Sequence, residues 1–362
     1  MSESHQSTNI RWGIIGTGYI STLFVKDLAI AQSHSSIPAR HVIEAAATSN
    51  FNKGLKFLET TDTTLQNPKI YTKQEDLYAD GQIDIVYVGL PHSMHKYACL
   101  NAIASGKHVL CEKPLAINAK EVDEIVALAS QKKVFVMEAP ELTILAVWTR
   151  FLPIISELRT MIHEEMVIGK VSRMFCDFSC NMGSLPPTSR IKDRNLGGGA
   201  LLDLGIYPLT MSNLILDGQV GEEALRPEIS SSMTVVDGVD HSVAMVVSYP
   251  STQCLGILTA SLESTTGRNF CHIEGSRGVI ILSGPMAAKP TSIRIQRYNN
   301  TADEVREFEH PGNGFHFEAN SVVSCILAGK LESDVMPLAE TRRIAAIMDE
   351  VRKAGGVLYP QD

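Results

Sequence analysis

The sequence predicts an α/β protein in two parts: a Rossmann-type, doubly wound parallel sheet, then an α+β domain with a large, mainly antiparallel, open-faced sheet. Three observations carry this. Residues 10 to about 138 alternate short Val- and Ile-rich runs with helical patterns, as a parallel sheet covered on both faces requires. Beyond about residue 150 the chain turns to polar/apolar stretches separated by Gly, Asn and Ser, the look of an antiparallel sheet with one exposed face. Finally, 362 residues exceed the roughly 250–300 at which single cores stop growing. The boundary is placed between 1–150 and 151–362, with the last helix able to pack back on the first domain.

In the first part, Arg11–Gly16, Val42–Thr48, Ile83–Leu90, Val109–Glu112 and Val134–Met137 read as buried parallel strands. Between them Ser21–Ala31, His95–Ala104 and Ala119–Ala129 read as helices. Gly106 stops the second, and Asn118 with Glu121 forms a capping box for the third. In the second part, strands are expected at Lys170–Cys180, Ser231–Val236, Ser242–Tyr249, Cys254–Glu263, Asn269–Glu274, Gly278–Leu282 and Thr291–Tyr298. Helices return at Phe315–Leu327 and Leu338–Ala354.

Composition narrows the classes of partner. The net charge of −8 and pI of about 5.8 argue against nucleic acid or an anionic membrane as the main partner. Met1–Asn9 lacks an apolar signal core, and no uninterrupted apolar run approaches the roughly 18 residues of a membrane span. Seven scattered cysteines indicate reduced thiols and a cytoplasmic location. Cys176 and Cys180 fall on one face of a strand, so no metal site is expected.

Candidate site residues cluster at the carboxyl ends of the predicted strands, where doubly wound sheets bind ligands. Gly16-Thr17-Gly18-Tyr19-Ile20-Ser21 joins the first strand to a helix. Its glycines allow a sharp turn and let backbone N–H groups approach a pyrophosphate. Ser21 stands at the usual third small position. Thr48-Ser49-Asn50, with Lys53 nearby, follows the second strand and contains no acid for ribose hydroxyls. That favours NADP, with NAD still possible. Leu90-Pro91-His92-Ser93-Met94-His95 ends the third strand. Its two histidines could touch the ribose or nicotinamide, or His95 could simply start a helix. Glu112-Lys113-Pro114 ends the fourth strand. A partly buried Lys113 near a charged nicotinamide is suited to proton exchange with a substrate hydroxyl. Asp203 and Tyr207, four apart after a Gly-Gly-Gly turn, would share a helical face, irregular because of Gly205 and Pro208. Trp148, Arg150, Arg190 and Arg194 are secondary candidates for lining a substrate pocket. Together these residues describe a hydride-transfer enzyme with a proton-handling site.

With these motifs in view, the chain resembles the glucose–fructose oxidoreductase/inositol dehydrogenase family over nearly its whole length. Its dimeric dihydrodiol dehydrogenase branch, which includes NADP-dependent D-xylose dehydrogenases, is the most similar. Gly13–Ser21, Glu112-Lys113-Pro114, Trp148–Pro153, Gly198–Tyr207, Pro337–Glu340 and Glu350–Lys353 carry the likeness. A tyrosine at 207, where much of the wider family has histidine, points to this branch. The resemblance implies Lys113 as the principal catalytic residue, assisted by Asp203 and Tyr207, and a homodimer through the second sheet. Two departures stand out. Asn50 replaces the arginine this branch uses for a 2′-phosphate, and about seven residues, Pro140–Ala146, are inserted before Val147-Trp148. The expected reaction is reversible oxidation of a hydroxyl on a sugar, polyol or cyclic diol. The alternatives are a biosynthetic oxidoreductase acting on another carbonyl, a non-catalytic NADP-sensing regulator, and an enzyme damaged by the insertion.

Overall fold

The computed structural model describes residues 8–34, 39–63, 67–139, 150–299 and 302–362. Pro140–Ala146 and Trp148, singled out above, lie outside the described residues. The first sheet contains β1 (Thr8–Ile15), β2 (Ala39–Ala47), β3 (Lys69–Tyr71), β4 (Ile85–Val88), β5 (His108–Glu112) and β6 (Val136–Ala139). They run parallel in the order β3-β2-β1-β4-β5-β6. The order reverses between β1 and β4, so a crevice opens beyond their carboxyl ends. Helices α1 (Tyr19–His34), α2 (Phe51–Thr60), α3 (Gln74–Ala79), α4 (His92–Ala104) and α5 (Ala119–Lys132) connect the strands. β4 is buried at every position, which explains its unbroken apolar sequence.

Local chemistry explains the ends of several elements. The Asn118 side chain accepts from the Glu121 N–H at 2.9 Å, and Glu121 reaches back to the Ile117 N–H at 3.3 Å, so α5 is capped as expected. α5 runs three residues past its expected end and closes on Lys133 in a left-handed conformation. The Val134 N–H is therefore still bonded to Ala129, and β6 starts at Val136. α2, α3 and β3 are additions to the expected elements. β3 is three residues long, too short to show a period.

The second sheet is built from β7 (Val171–Asp177), β8 (Glu228–Val236), β9 (Val239–Tyr249), β10 (Cys254–Ser261), β11 (Asn269–Gly275), β12 (Gly278–Ser283), β13 (Ser292–Arg297) and β14 (Glu304–Glu307). The order is β14-β13-β12-β11-β7-β10-β9-β8, antiparallel except where β7 meets β10. β10 alternates buried with half-buried positions and β8 half-buried with exposed ones, so one face is packed and the other open. The polar edge strand β14 was not expected. Nor was α6 (Pro153–Arg159).

α8 (Phe315–Leu327) and α9 (Leu338–Ala354) match their expected ranges and return to the first sheet's helices. Phe315 meets Phe24 of α1 edge-on at 5.9 Å. The buried Asp27 carboxylate of α1 accepts the N–H groups of Asn313, Gly314 and Phe315, capping α8 from another element. On α9, Asp349 accepts from the Ala119 N–H at 3.0 Å.

Candidate active site

A groove of about 550 Å³ lies at the switch point, lined by Gly16, Thr17, Gly18, Thr48, Ser49, Lys53, Leu90, Pro91 and Met94, among others. Gly16 has φ +85, and a Cβ there would run into the Gly89 carbonyl, so only glycine turns the chain here without strain. A Cβ on Gly18 would meet nothing within 4 Å, so its backbone faces open space, as close approach of a dinucleotide requires. Ser21 is fully buried and abuts Gly89, which has no room for a side chain. The small residue at position 21 therefore lets α1 sit tight against the end of β4. Tyr19 is exposed and Ile20 buried. The Asn50 side chain caps α2, accepting from Asn52 and Lys53 N–H at 2.9 and 3.2 Å. Sequence reasoning missed that role, and also missed Thr72, Gln74 and Met94 as groove walls. The Thr48–Asn50 corner presents the positive end of α2 and the Lys53 stem, with no carboxylate. These features fit a nicotinamide dinucleotide.

Next to the groove, at the end of β5, lies a buried polar cluster. Lys113 is 1% and Asp203 3% exposed. Lys113 Nζ donates to the Asp203 carbonyl at 2.8 Å, stands 3.5 Å from the Asp203 carboxylate and lies 5.1 Å from the Tyr207 ring centre. Arg190 donates to both Asp203 oxygens, at 3.1 and 3.3 Å. Burial alone would push the Asp203 carboxyl up, but Arg190, Lys113 and His92 outweigh it and hold the group well below its usual range. His92 Nδ1 lies 2.9 Å from the Gly197 carbonyl, which that ring N–H can donate to. Its Nε2 lies 3.6 Å from Asp203 and 3.5 Å from Arg190. Burial lowers its pKa to about 3, so the ring is neutral. Phe178 stacks on Tyr207 at 4.3 Å and fixes the phenol plane.

Lys113 precedes Pro114 through a cis peptide bond. The Leu115 N–H beyond it donates to the buried Glu138 carboxyl of β6 at 2.9 Å, which anchors the loop. Asp203 lies in a widened helical turn, Leu201–Gly205, that leads into α7 (Ile206–Ser212). Pro208 has no N–H to return to the preceding turn, so the helix widens where the sequence suggested irregularity.

The remaining candidates are placed as follows. His95 is buried inside α4, its ring nitrogens 2.7 Å from the Leu90 carbonyl and 2.8 Å from the Pro114 carbonyl. It joins the ends of β4 and β5 instead of starting a helix. Glu112 accepts from the Tyr87 hydroxyl within the sheet. Arg150 is buried against Glu340 at 3.2 Å and the Val335 carbonyl at 2.9 Å. It shares with Tyr207 and Phe178 a small apolar cavity of about 20 Å³. Arg194 bonds the Leu358 carbonyl at 2.5 Å. Cys176 faces Cys271 across the β7–β11 ladder, and among the described residues no group of His, Cys, Asp or Glu is arranged to hold a metal ion.

An oxidoreductase family with an NAD-binding Rossmann fold matches residues 10–139, and the GFO/IDH/MocA C-terminal domain matches residues 155–281. The chain belongs to the Gfo/Idh/MocA oxidoreductase family. This family member is 33% identical to the trans-1,2-dihydrobenzene-1,2-diol dehydrogenases of Xenopus tropicalis and Homo sapiens, over 97% and 98% of this chain and 99% of each relative. It is 32% identical to D-xylose 1-dehydrogenase (NADP(+)) of Hypocrea jecorina, over 97% of this chain and 93% of the relative. Its fold matches levoglucosan dehydrogenase in complex with NADH and levoglucosan, with a TM-score of 0.81 at 17% identity, covering 96% and 98% of the two chains. It also matches a 3-ketoreductase from Actinomadura kijaniata in complex with NADP, with a TM-score of 0.78 at 21% identity over 96% and 98%. This Gfo/Idh/MocA protein is an oxidoreductase, and the relatives it matches are named dehydrogenases.

Proposed function

We propose that this enzyme is an NADP-dependent dehydrogenase that oxidises a hydroxyl of a sugar or cyclic diol, with Lys113 as the acid/base. The observation that carries the reading is the burial of the Lys113 ammonium against Asp203 and Tyr207, at the end of the strand beside the dinucleotide groove. The bound dinucleotide supplies the hydride acceptor. Gly16–Gly18 and the amino end of α1 hold its pyrophosphate. Lys53 and the capped end of α2 offer positive charge to a 2′-phosphate, and no acid competes.

At the reacting hydroxyl, Lys113 Nζ exchanges the proton. Asp203, kept ionised by Arg190, holds the ammonium in place by its carbonyl and carboxylate. Tyr207, its ring fixed by Phe178, offers a donor and acceptor beside Lys113. Neutral His92 supports the Gly197 turn that leads to Asp203. The relatives are dihydrodiol and D-xylose dehydrogenases, which supports a vicinal diol or an aldose as substrate class. The open face of the second sheet exposes Val246 and Val305, which supports a homodimer through that face; the cytoplasmic location is carried by the scattered cysteines alone. Size-exclusion chromatography with light scattering tests the dimer. Turnover of a panel of aldoses and cyclic diols, with NADP and with NAD and followed by reduced-cofactor absorbance, tests the reaction. Activity with neither class of substrate, or greater efficiency with NAD, would overturn it.

A further inference from the structure

Behind the site, on the face of the turn away from the groove, lies a second carboxyl. Asp240 of β9 is fully buried. Its Oδ2 accepts from the Leu201 N–H at 2.6 Å, the first residue of the widened turn that carries Asp203. Among the described residues its Oδ1 has no hydrogen-bond partner, and it faces Gly199, where φ is +135 and a Cβ would run into that oxygen. Tyr359 holds the same turn, donating from its hydroxyl to the Gly198 carbonyl at 2.6 Å. The turn between Gly197 and Asp203 is thus gripped from behind by one carboxylate and one phenol, while Lys113, Arg190 and His92 take it from the front.

We propose that Asp240 is a positioning residue for Asp203, acting through the Leu201 amide, and that its ionisation tightens the turn. An ionised carboxylate accepts from an amide more strongly than a protonated one. The titratable and charged groups facing Asp240 are Asp203 on the turn, Arg352 on α9 and Tyr359 in the stretch after α9. Arg352 is committed elsewhere, to Asp349 and Asp362, and lies 4.8 Å from the Tyr359 ring centre, so it compensates Asp240 only weakly. Burial, aided by the Asp203 charge, raises the Asp240 carboxyl to about 7 despite the Leu201 bond. The Leu201 bond is the contribution that favours the ionised form, so while Asp240 stays buried the turn tightens as pH rises through neutrality.

The test is amide hydrogen exchange by mass spectrometry of peptides spanning residues 199–207, from pH 5.5 to 8.5, corrected for intrinsic rates. Unliganded wild type and Asp240→Asn are compared. Asparagine keeps the shape and the acceptor but stays neutral. Wild type should gain about fivefold in protection across pH 7, the worth of exchanging a neutral for a charged acceptor, and Asp240→Asn should show no such step. A wild-type profile without the step, readable even if the variant fails to fold, overturns the proposal, as does the same step in the variant. The inference rests on Asp203 belonging to the reacting site, so kcat against pH is measured as well. The wild-type acid limb near 7 should flatten in the variant, with KM for NADP unchanged. An active enzyme whose limb survives in the variant also overturns it. Failure of every sugar and diol to turn over would sink the functional reading and leave the exchange result to decide this one.

Discussion

The groove and the lysine cluster lie side by side but are built in opposite ways. The groove comes almost entirely from the first sheet and consists of backbone turns, small residues and exposed polar atoms. The cluster gathers Lys113 from just past β5, His92 from the start of α4, Arg190 from the loop after β7, Asp203 from the widened turn and Tyr207 from α7. Nearly every member is buried. Shape governs the first and charge in a low-dielectric setting governs the second, so a substitution in one should leave the other's readout intact.

Lys113→Met should break the comparison most sharply. Turnover should fall by about two to four orders of magnitude, the usual worth of a general acid/base, while NADP affinity measured by fluorescence stays within about twofold. A variant that turns over normally would remove Lys113 from the chemistry. Gly16→Ala should do the reverse. A side chain at φ +85 facing the Gly89 carbonyl distorts the groove, and NADP affinity should fall by about tenfold or more, a cost of roughly 1–3 kcal/mol for such backbone strain. Unchanged affinity would show that the turn can relax.

Charge in the cluster can also be read through stability. His92 is held neutral, with its native pKa near 3 against 6.5 unfolded. Between these values the unfolded chain binds the extra proton, so the native state loses stability as pH falls below about 6.5 and keeps it above. This amounts to roughly 2 kcal/mol by pH 5. His92→Gln should narrow the difference in Tm between pH 8 and pH 5. Asp240 works with the opposite sign. Against global unfolding, which returns the carboxyl to water, its native pKa near 7 lies above the unfolded value, so its contribution is favourable in acid and is lost as pH rises toward 7. The tightening proposed above concerns the Leu201 bond alone while Asp240 stays buried. The smallest effect should come from Lys53→Ala, which should raise KM for NADP by about twofold to fivefold, the worth of an exposed ion pair, and leave KM for NAD unchanged.

The two regions also differ in how far the sequence revealed them. The groove is encoded locally: Gly16, Gly18 and Ser21 stand within six residues, and the absent acid at Thr48–Asn50 can be read directly. The capping duty of Asn50 needed the structure, because the helix it caps has no strong start signal, and so did the walls at Thr72, Gln74 and Met94, which carry no motif. In the cluster, Lys113, Asp203 and Tyr207 were legible from their motifs. Their mutual geometry was not, since Lys113 and Asp203 are 90 residues apart. Arg190 looked like a pocket-lining side chain until its bonds to Asp203 were seen. Asp240 gave no sign, because a lone aspartate after a Gly-Val pair reads as a hairpin residue. Short elements escaped for another reason. β3 and β14 have three and four residues, less than is needed to show alternation.

The cap that Asp27 places on α8 has a consequence for the order in which this chain can be completed. Asp27 and Asn313 are 286 residues apart, and Phe24 on the same helix waits for Phe315. While the ribosome is still adding the second sheet, the first sheet therefore carries a helix with a bare apolar face and an unmatched carboxylate. The dinucleotide-binding half is among the earliest parts made and among the last to be sealed. A nascent chain halted before residue 313 would expose that face to chaperones, to proteases, and to other copies of itself.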